Sequence, residues 1–300
     1  MSASLACIGG TAAYDLLRDG ALVADRLGPQ HTPFGDSQPI YLCKSRFGQQ
    51  FLFLSRHGET GYDLAPSFVN YRANLYALKD LGVRSVISWS ETKALCHNYK
   101  VGEYVIVHDL VDETHQRAHT FFENQGLGAV RQWPVFCPSL RRALATTLGE
   151  ERCAFSDHGV YVCVEGPRRE TPAEARKYAM CGGELLGMTL APEAFLAREL
   201  QLCYSSICYV AHYAETGSDY TPFEGGRVLE EAITAQRART AVERLPRILE
   251  RLGHVVSDTP SLCHCETSMQ QYIDSGQLAW DWRTWFEDQP SERDIGTALP

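Results

Sequence analysis

Two polar loops, each directly after a short apolar run, carry residue types that bind anions. Gly9-Gly10-Thr11 follows the run 5–8 and offers backbone N–H groups and a hydroxyl, which are donors that cradle an oxyanion. Arg56-His57-Gly58 follows the run 51–54 and supplies a guanidinium fork and an imidazole donor, which suit phosphate. Alone, the first loop is equally consistent with a strand-to-helix turn and the second with a surface ion pair. The two together predict a phosphate site.

The elements around these loops predict an α/β fold. Short apolar, β-branched runs alternate with helical periodicity. We predict strands at 5–8, 51–54, 85–88, 104–107, 160–165 and 202–210, and helices at 69–81, from Thr171 onward, and at 227–252 as one long or two short helices. The helix start at Thr171 is a capping box, with Pro172 at the first helical position and Glu174 three residues after the cap. Without a repeat, linker or composition break, residues 1–300 form a single domain, a mixed twisted sheet flanked by helices.

The amino-acid composition excludes two classes of binding partner, nucleic acids and membranes. The 300-residue chain has 44% hydrophobic and 22% charged residues and a formal net charge of −9, which argues against a nucleic-acid backbone as partner. No apolar run approaches the ~20 residues that span a bilayer, so we expect no membrane association. The N-terminus lacks the basic region of a signal peptide, and the cytoplasm is the expected location.

The eleven cysteines are an odd number, and most lie in apolar runs, where buried thiols are expected. Cys263-His264-Cys265 is different, because its two cysteines are separated by one residue. That spacing is too short for the usual C-x-x-C zinc knuckle, so we expect no metal site. A vicinal redox pair and two unpaired thiols are the alternatives.

Several blocks together resemble the purine nucleoside phosphorylases of the trimeric, methylthioadenosine-phosphorylase-like type, over about residues 5–265. In chain order the blocks are Ile8-Gly9-Gly10-Thr11, Thr32-Pro33-Phe34-Gly35, Arg56-His57-Gly58, 66–74, Thr120-Phe121-Phe122, Cys137-Pro138, Glu165-Gly166-Pro167-Arg168, 187–194 and Leu196-Ala197-Arg198-Glu199. The resemblance implies a homotrimer that takes a small-molecule nucleoside and cleaves its N-glycosidic bond with phosphate as co-substrate, without a cofactor.

The resemblance also implies which residues bind the substrates. The implied phosphate ligands are Thr11, Arg56, His57, Ser90 and Thr189. Met188 would lie under the ribose, a place that is compatible with an ordinary core residue. In the expected mechanism phosphate attacks C1′ of an oxocarbenium-like sugar while a group near purine N7 stabilises the departing base.

The base site departs from the family pattern. His212 stands where the family has an N7-contacting Asp or Asn, and it is either a general acid or a neutral filler of the pocket. Ala214 replaces the second carboxylate of adenine-specific members. Arg169 replaces an aromatic residue that stacks on the base, although a guanidinium can also stack. Glu170 matches the Glu that accepts the N1–H of 6-oxopurines, which favours hypoxanthine or guanine; alternatively, Arg169 and Glu170 pair with each other or with solvent.

The phosphate site carries a further departure at Ser90-Glu91-Thr92-Lys93, where the family has small residues and Gly. Two like charges at ~4 Å repel by about 4 kcal/mol at an effective dielectric constant of 20. Glu91 would therefore oppose phosphate unless Lys93 or Arg56 neutralises it. Glu59-Thr60-Gly61-Tyr62 also replaces a His of the family.

Three functions follow from these residues. The first is a nucleoside phosphorylase of altered specificity, in which Lys93 offsets Glu91. The second is a phosphate-independent nucleosidase in which Glu91 is the general base for water. The third is a repurposed nucleoside-binding protein that has lost turnover.

Overall fold

The computed structural model describes residues 3–60, 62–123, 125–214, 223–224, 227–228, 231–258 and 262–286. The strands are β1 (Leu5–Gly9), β2 (Ala24–Gly28), β3 (His31–Thr32), β4 (Gly35–Asp36), β5 (Ile40–Lys44), β6 (Gln50–Ser55), β7 (Ser85–Ala94), β8 (Tyr104–Ile106), β9 (Asp109–Glu113), β10 (Phe155–Ser156), β11 (Val160–Val164), β12 (Leu185–Gly187), β13 (Cys203–Tyr213), β14 (Phe223–Glu224) and β15 (Arg227–Val228). The helices are α1 (Ala13–Arg18), α2 (Tyr71–Asp80), α3 (Pro138–Glu150), α4 (Pro172–Met180), α5 (Glu193–Glu199), α6 (Glu231–Glu243), α7 (Leu245–Asp258) and α8 (Gln270–Asp274).

The large sheet is mixed, as the sequence predicts. Its main path runs β10-β8-β13-β7-β1-β6-β5-β2. The central strands β13, β7, β1 and β6 are parallel neighbours, whereas β5 and β2 continue the sheet in antiparallel pairing. Because the central strands are parallel, their carboxyl ends meet at one edge, and ligands of open α/β sheets bind at that edge.

At this edge the sheet has a gap alongside β7, between strands β1 and β12. On one side it pairs with β1 only as far as Trp89 and with β12 only from Lys93. On the other side it pairs with β13 throughout. Residues 90–92 therefore have a neighbouring strand on one side alone, and the opposite side is open to a ligand.

Two hydrophobic clusters cover the two faces of the sheet. Consecutive residues of β1 belong to different clusters. Ile8 belongs to the cluster that includes α2 and α5, whereas Cys7 belongs to the cluster that includes α1, α3 and α7. This is the period-2 alternation expected of a strand buried on both faces. The prediction of a sheet flanked by helices is confirmed.

The predicted elements are largely present, but several bounds differ. The strands predicted at 85–88 and 202–210 extend to Ala94 and Tyr213. Of the two alternatives for 227–252, the structure has two helices, α6 and α7, but residues 227–228 belong to β15 and α6 begins at Glu231. Pro246, at the second position of α7, lacks the N–H that would continue a helix from α6. None of the described helices has both the length and the hydropathy to cross a bilayer.

The predicted capping box at the start of α4 is present. The Thr171 hydroxyl accepts the Glu174 N–H at 3.2 Å, and the Glu174 carboxylate accepts the Thr171 N–H at 2.8 Å. Both donors would otherwise lack a partner within the helix.

We predict that Thr171→Ala lowers the free energy of unfolding by about 1 kcal/mol, because it removes the cap acceptor. Thr171→Ser is the matched control and should retain most of the stability, because it keeps the hydroxyl. Urea denaturation of the three proteins measures the difference. Equal stability of the Ala and Ser variants would contradict a stabilising cap.

Candidate active site

A cleft that is partly open to solvent lies beside residues 90–92 of β7; its empty volume, open space included, is about 610 Å³. The loops after β1, β6 and β12 and the exposed side of β7 form its walls. The cleft brings together seven of the residues predicted for the site: Thr11, His57, Ser90, Glu91, Glu170, Met188 and Thr189.

Arg56 lies behind the cleft in a buried ion pair with Glu193. Its Nε donates to Glu193 Oε2 and its Nη2 to Glu193 Oε1, each at 2.9 Å, and both side chains are essentially inaccessible. The Tyr204 hydroxyl donates to the same carboxylate at 2.7 Å. A bidentate pair of this kind fixes the guanidinium plane.

One nitrogen of Arg56 remains available. Nη1 is buried and has no hydrogen-bond partner among the described residues. It lies next to Gly10, where a Cβ would approach Nη1 to 3.4 Å and the Trp89 carbonyl oxygen to 3.0 Å. A buried cationic donor without a partner is costly. Its place beside the glycine loop is consistent with an oxyanion as the missing partner.

Two hydroxyls from different parts of the chain meet at the same end of the cleft. Ser90 Oγ on β7 and Thr189 Oγ1 after β12 are 3.0 Å apart. Ser90 Oγ is also 3.4 Å from Ser88 Oγ, which accepts from Arg56 Nη2 at 2.8 Å. These contacts join the hydroxyls to Arg56, and Thr11 lines the cleft nearby.

His57 is buried, and one hydrogen bond decides its tautomer. Its Nδ1 is 2.8 Å from the Leu64 carbonyl oxygen, and since a carbonyl only accepts, Nδ1 carries the proton. Burial, together with the positive charge of Arg56, lowers the pKa of His57 to about 4. At neutral pH Nε2 is therefore an acceptor. The predicted role of His57 as a donor to phosphate needs correction: it can accept from a hydroxyl of the sugar or of phosphate.

The other end of the cleft holds an ion pair between Lys93 and Glu170. Lys93 Nζ lies 2.7 and 2.8 Å from the two carboxylate oxygens. The Glu170 side chain is 2% exposed and that of Lys93 20% exposed, and both line the cleft. The alternative, that Glu170 pairs with Arg169 or with solvent, is wrong, because the Glu170 carboxylate binds Lys93.

Glu91 is half-buried and lines the cleft, but neither Lys93 nor Arg56 neutralises it, since each pairs with another carboxylate. Glu91 accepts instead from the Tyr209 hydroxyl at 3.2 Å. Alternation along β7 directs Ser90 and Glu91 to opposite faces of the sheet. The hydrogen bond from Tyr209, rather than a neutralising cation, holds this carboxylate.

Met188 also lies in the cleft wall, next in sequence to Thr189. It is packed so closely against Gly166 that a Cβ there would come within 2.6 Å of the Met188 sulfur. The Met188 carbonyl accepts from Arg117 Nη1 at 2.8 Å. A half-buried, adaptable thioether at this position suits one face of a sugar.

Three predicted base-site residues are not in the cleft wall. His212 is exposed, because a bulge between Val210 and His212 breaks the strand alternation. Arg169 is also exposed, whereas Ala214 is buried in a small apolar cluster that Met188 contacts. The structure therefore does not support His212 as the N7-contacting acid or Arg169 as the stacking residue.

Two functional residues were missed by the sequence analysis. Glu193 lies in the block 187–194 that carries the resemblance, but nothing local indicates its partner, 137 residues away. Arg117 lies outside all the blocks. It is buried and donates to the Ala191 carbonyl and to Glu165, so it ties the loop after β11 to the loop after β12.

Because the pKa of His57 is about 4 in the folded protein and ~6.5 when unfolded, the unfolded chain takes up the proton first as the pH falls. The neutral His57 imidazole therefore makes its full contribution to the free energy of unfolding above pH ~6.5, and this contribution is lost as the pH falls toward 4. From pH 7 to pH 5 the wild type should lose about 2 kcal/mol more than His57→Gln. Urea denaturation across this range measures it, with Tyr62→Phe as the control that keeps the wild-type slope. An unchanged slope in His57→Gln would contradict a buried neutral imidazole.

Comparisons with known proteins agree with this geometry. Residues 5–252 match the family model described as the phosphorylase superfamily. A probable S-methyl-5'-thioinosine phosphorylase of Methanothermobacter thermautotrophicus is 42% identical over 207 residues, 69% of this chain and 70% of the relative. The 6-oxopurine nucleoside phosphorylase of Pyrococcus furiosus is 35% identical over 218 residues, 70% and 79% of the two chains.

The fold is likewise shared. A crystal structure of a methylthioadenosine phosphorylase from an antarctic soil metagenomic library superimposes with a TM-score of 0.76 at 30% identity, covering 90% of this chain and 92% of the other. The chain belongs to the phosphorylase superfamily, within its group of purine nucleoside and methylthionucleoside phosphorylases.

Proposed function

We propose that this protein is a pentosyltransferase that cleaves the N-glycosidic bond of a 6-oxopurine nucleoside, or of its 5′-methylthio analogue, with phosphate. The observation that carries the proposal is the unpartnered Arg56 Nη1 beside Gly10, next to the Ser90–Thr189 hydroxyl pair. These groups supply a cation and hydroxyls for one oxyanion at one end of the cleft.

The proposed mechanism follows from the order of groups along the cleft. Phosphate is held by Arg56, Thr11, Ser90 and Thr189 and is oriented toward C1′ of a sugar that lies over Met188. As the glycosidic bond stretches, the negative charge of phosphate stabilises the oxocarbenium-like sugar. His57 Nε2, an acceptor at neutral pH, takes a hydrogen bond from a sugar or phosphate hydroxyl.

The Lys93–Glu170 pair gives the base preference. A 6-oxopurine presents an N1–H donor and an O6 acceptor side by side, which match the Glu170 carboxylate and the Lys93 ammonium. A 6-aminopurine in the same orientation presents an acceptor at N1 to the Glu170 carboxylate and a donor at the amino group to the Lys93 ammonium, so neither contact would form. Sites of this kind discriminate strongly, because mismatched polar groups lose their solvation without compensation. The relatives named for thioinosine and for 6-oxopurine nucleosides are consistent with this preference.

Glu91 keeps a second candidate function open. Its carboxylate lines the cleft and forms no ion pair within the described part of the chain. A carboxylate at that place could act as general base for water, which would make the enzyme a nucleosidase. The direction of Glu91 toward Tyr209, away from the hydroxyl pair, favours phosphorolysis.

The remaining parts of the proposal come from the family. We expect a homotrimer in the cytoplasm whose partner is a small-molecule nucleoside, with phosphate as co-substrate and no cofactor. The match to the phosphorylase superfamily and the relatives named as nucleoside phosphorylases support the nucleoside and phosphate as substrates.

Phosphate dependence is the first test. We expect release of free base from S-methyl-5'-thioinosine, inosine or guanosine in the presence of phosphate, together with the sugar 1-phosphate, and no release without phosphate. S-methyl-5'-thioadenosine should react poorly. Chromatography of base and sugar phosphate measures both products, and base release without phosphate would contradict the proposal.

Glu91→Gln distinguishes the two candidate reactions. The phosphorylase should keep its phosphate-dependent turnover in this variant, because the amide retains the contact with Tyr209 and Glu91 takes no part in the chemistry. A nucleosidase would lose its turnover.

Base recognition is the second test. Glu170→Gln should lower kcat/KM for the 6-oxopurine substrate by roughly 10–100-fold, since a hydrogen bond to a charged group contributes about 1.5–3 kcal/mol. Arg169→Gln, at the exposed neighbouring position, should change kcat/KM by less than about twofold. Steady-state kinetics measures both variants. Equal effects of the two substitutions would rule out Glu170 as the residue that recognises the base.

A further inference from the structure

Four cysteines form a cluster at the opposite end of the sheet from the cleft. The sulfurs of Cys137, Cys203, Cys263 and Cys265 all lie within 4.8 Å of one another. Cys203 pairs with Ser85 at the start of β7, six residues and about 20 Å of strand from Glu91. The cluster is therefore separate from the proposed active site.

Three distant segments of the chain supply the four thiols. Cys137 is the N-cap residue of α3, and its N–H donates to the Tyr204 carbonyl at 2.8 Å. Cys203 begins β13, and its N–H donates to the Arg84 carbonyl at 2.9 Å. Cys263 and Cys265 follow α7, and the Leu262 N–H attaches this segment to Ser139 at 3.1 Å. Two of these segments are held by backbone–backbone hydrogen bonds and the third by a hydrogen bond to the Ser139 hydroxyl, so contacts other than those between the sulfurs bring the three segments together.

The spacing of the sulfurs suits a tetrahedral metal ion. Zinc binds four cysteine thiolates at about 2.3 Å, which places the sulfurs about 3.8 Å apart. The Cys203–Cys263 sulfur distance is 3.4 Å, and every other pair lies within 4.8 Å. Two disulfides would need only two close pairs at about 2.0 Å, with no reason for all four sulfurs to surround one point.

The position of Cys137 suits an anionic metal site. Cys137 is the N-cap residue of the 13-residue helix α3, and a helix N-terminus stabilises negative charge. Lys79, Arg84 and one carboxylate, Glu266, line a cavity that Cys203 and Cys263 also line, so two positive charges stand against one negative charge. The excess of positive charge opposes the net charge of −2 that one divalent ion with four thiolates would carry.

We propose that Cys137, Cys203, Cys263 and Cys265 form a structural zinc site. The short spacing of Cys263 and Cys265 predicts no metal site from those two residues alone, and the fold adds the two missing ligands. Four protein ligands leave no open position, so the site is structural. It fastens the segment after α7 to the sheet, and the same segment continues to Phe286, which packs against Phe34 and Phe121.

The test is the metal content of untagged full-length protein purified under reducing conditions. Inductively coupled plasma mass spectrometry should find about one zinc per chain. Cys137→Ser and Cys265→Ser should each lower the zinc content at least about tenfold, whereas Cys181→Ser, at an exposed cysteine outside the cluster, should leave it unchanged.

A spectroscopic measurement on the wild type keeps the proposal testable if the variants fail to fold. Exchange of the bound ion for Co²⁺ should produce the thiolate-to-cobalt charge-transfer absorption of a tetrahedral site. Wild-type protein that contains no metal and gives no cobalt spectrum would overturn the proposal. So would mass spectrometry of the unreduced protein that finds the four cysteines in disulfides.

Discussion

The buried Arg56–Glu193 pair is the interaction on which the rest of the candidate site depends. It joins the loop after β6 to the start of α5, and Ser88 and Tyr204 connect the same two side chains to β7 and β13. A buried guanidinium without its carboxylate would cost several kcal/mol. Glu193 binds two of the guanidinium nitrogens and fixes the guanidinium plane, so the third nitrogen, Nη1, lies beside Gly10.

Strand β7 sets the distance between the two ends of the cleft. Ser90 contacts Thr189 at the anion end and Lys93 contacts Glu170 at the base end. Three residues of extended chain span about 10 Å, a length that accommodates a sugar between phosphate and purine. The pairing of β7 with β1 ends at Trp89 and its pairing with β12 begins only at Lys93, so the stretch between them stays open. The topology of the sheet therefore determines where the site can form.

The sequence predicts the parts of the structure that depend on local residue patterns. Apolar alternation locates the central strands, the capping box locates α4, and the polar loops after β1 and β6 locate the anion end. Contacts over long separations are not predictable in this way: Lys93 and Glu170 are 77 residues apart, and only the folded chain shows their pairing. Local backbone irregularities cannot be predicted from the sequence either. A bulge in β13 leaves His212 exposed, although its place in the family pattern suggests a catalytic residue.

The central claim is that Arg56, held by Glu193, completes an oxyanion site with the Ser90 and Thr189 hydroxyls. A crystal structure with bound arsenate, an analogue of phosphate that anomalous scattering can locate, tests it most directly. The account predicts one anion beside Gly10, in contact with Arg56 Nη1 and with both hydroxyls. An anion bound elsewhere in the cleft, with Nη1 still lacking a partner, would contradict it.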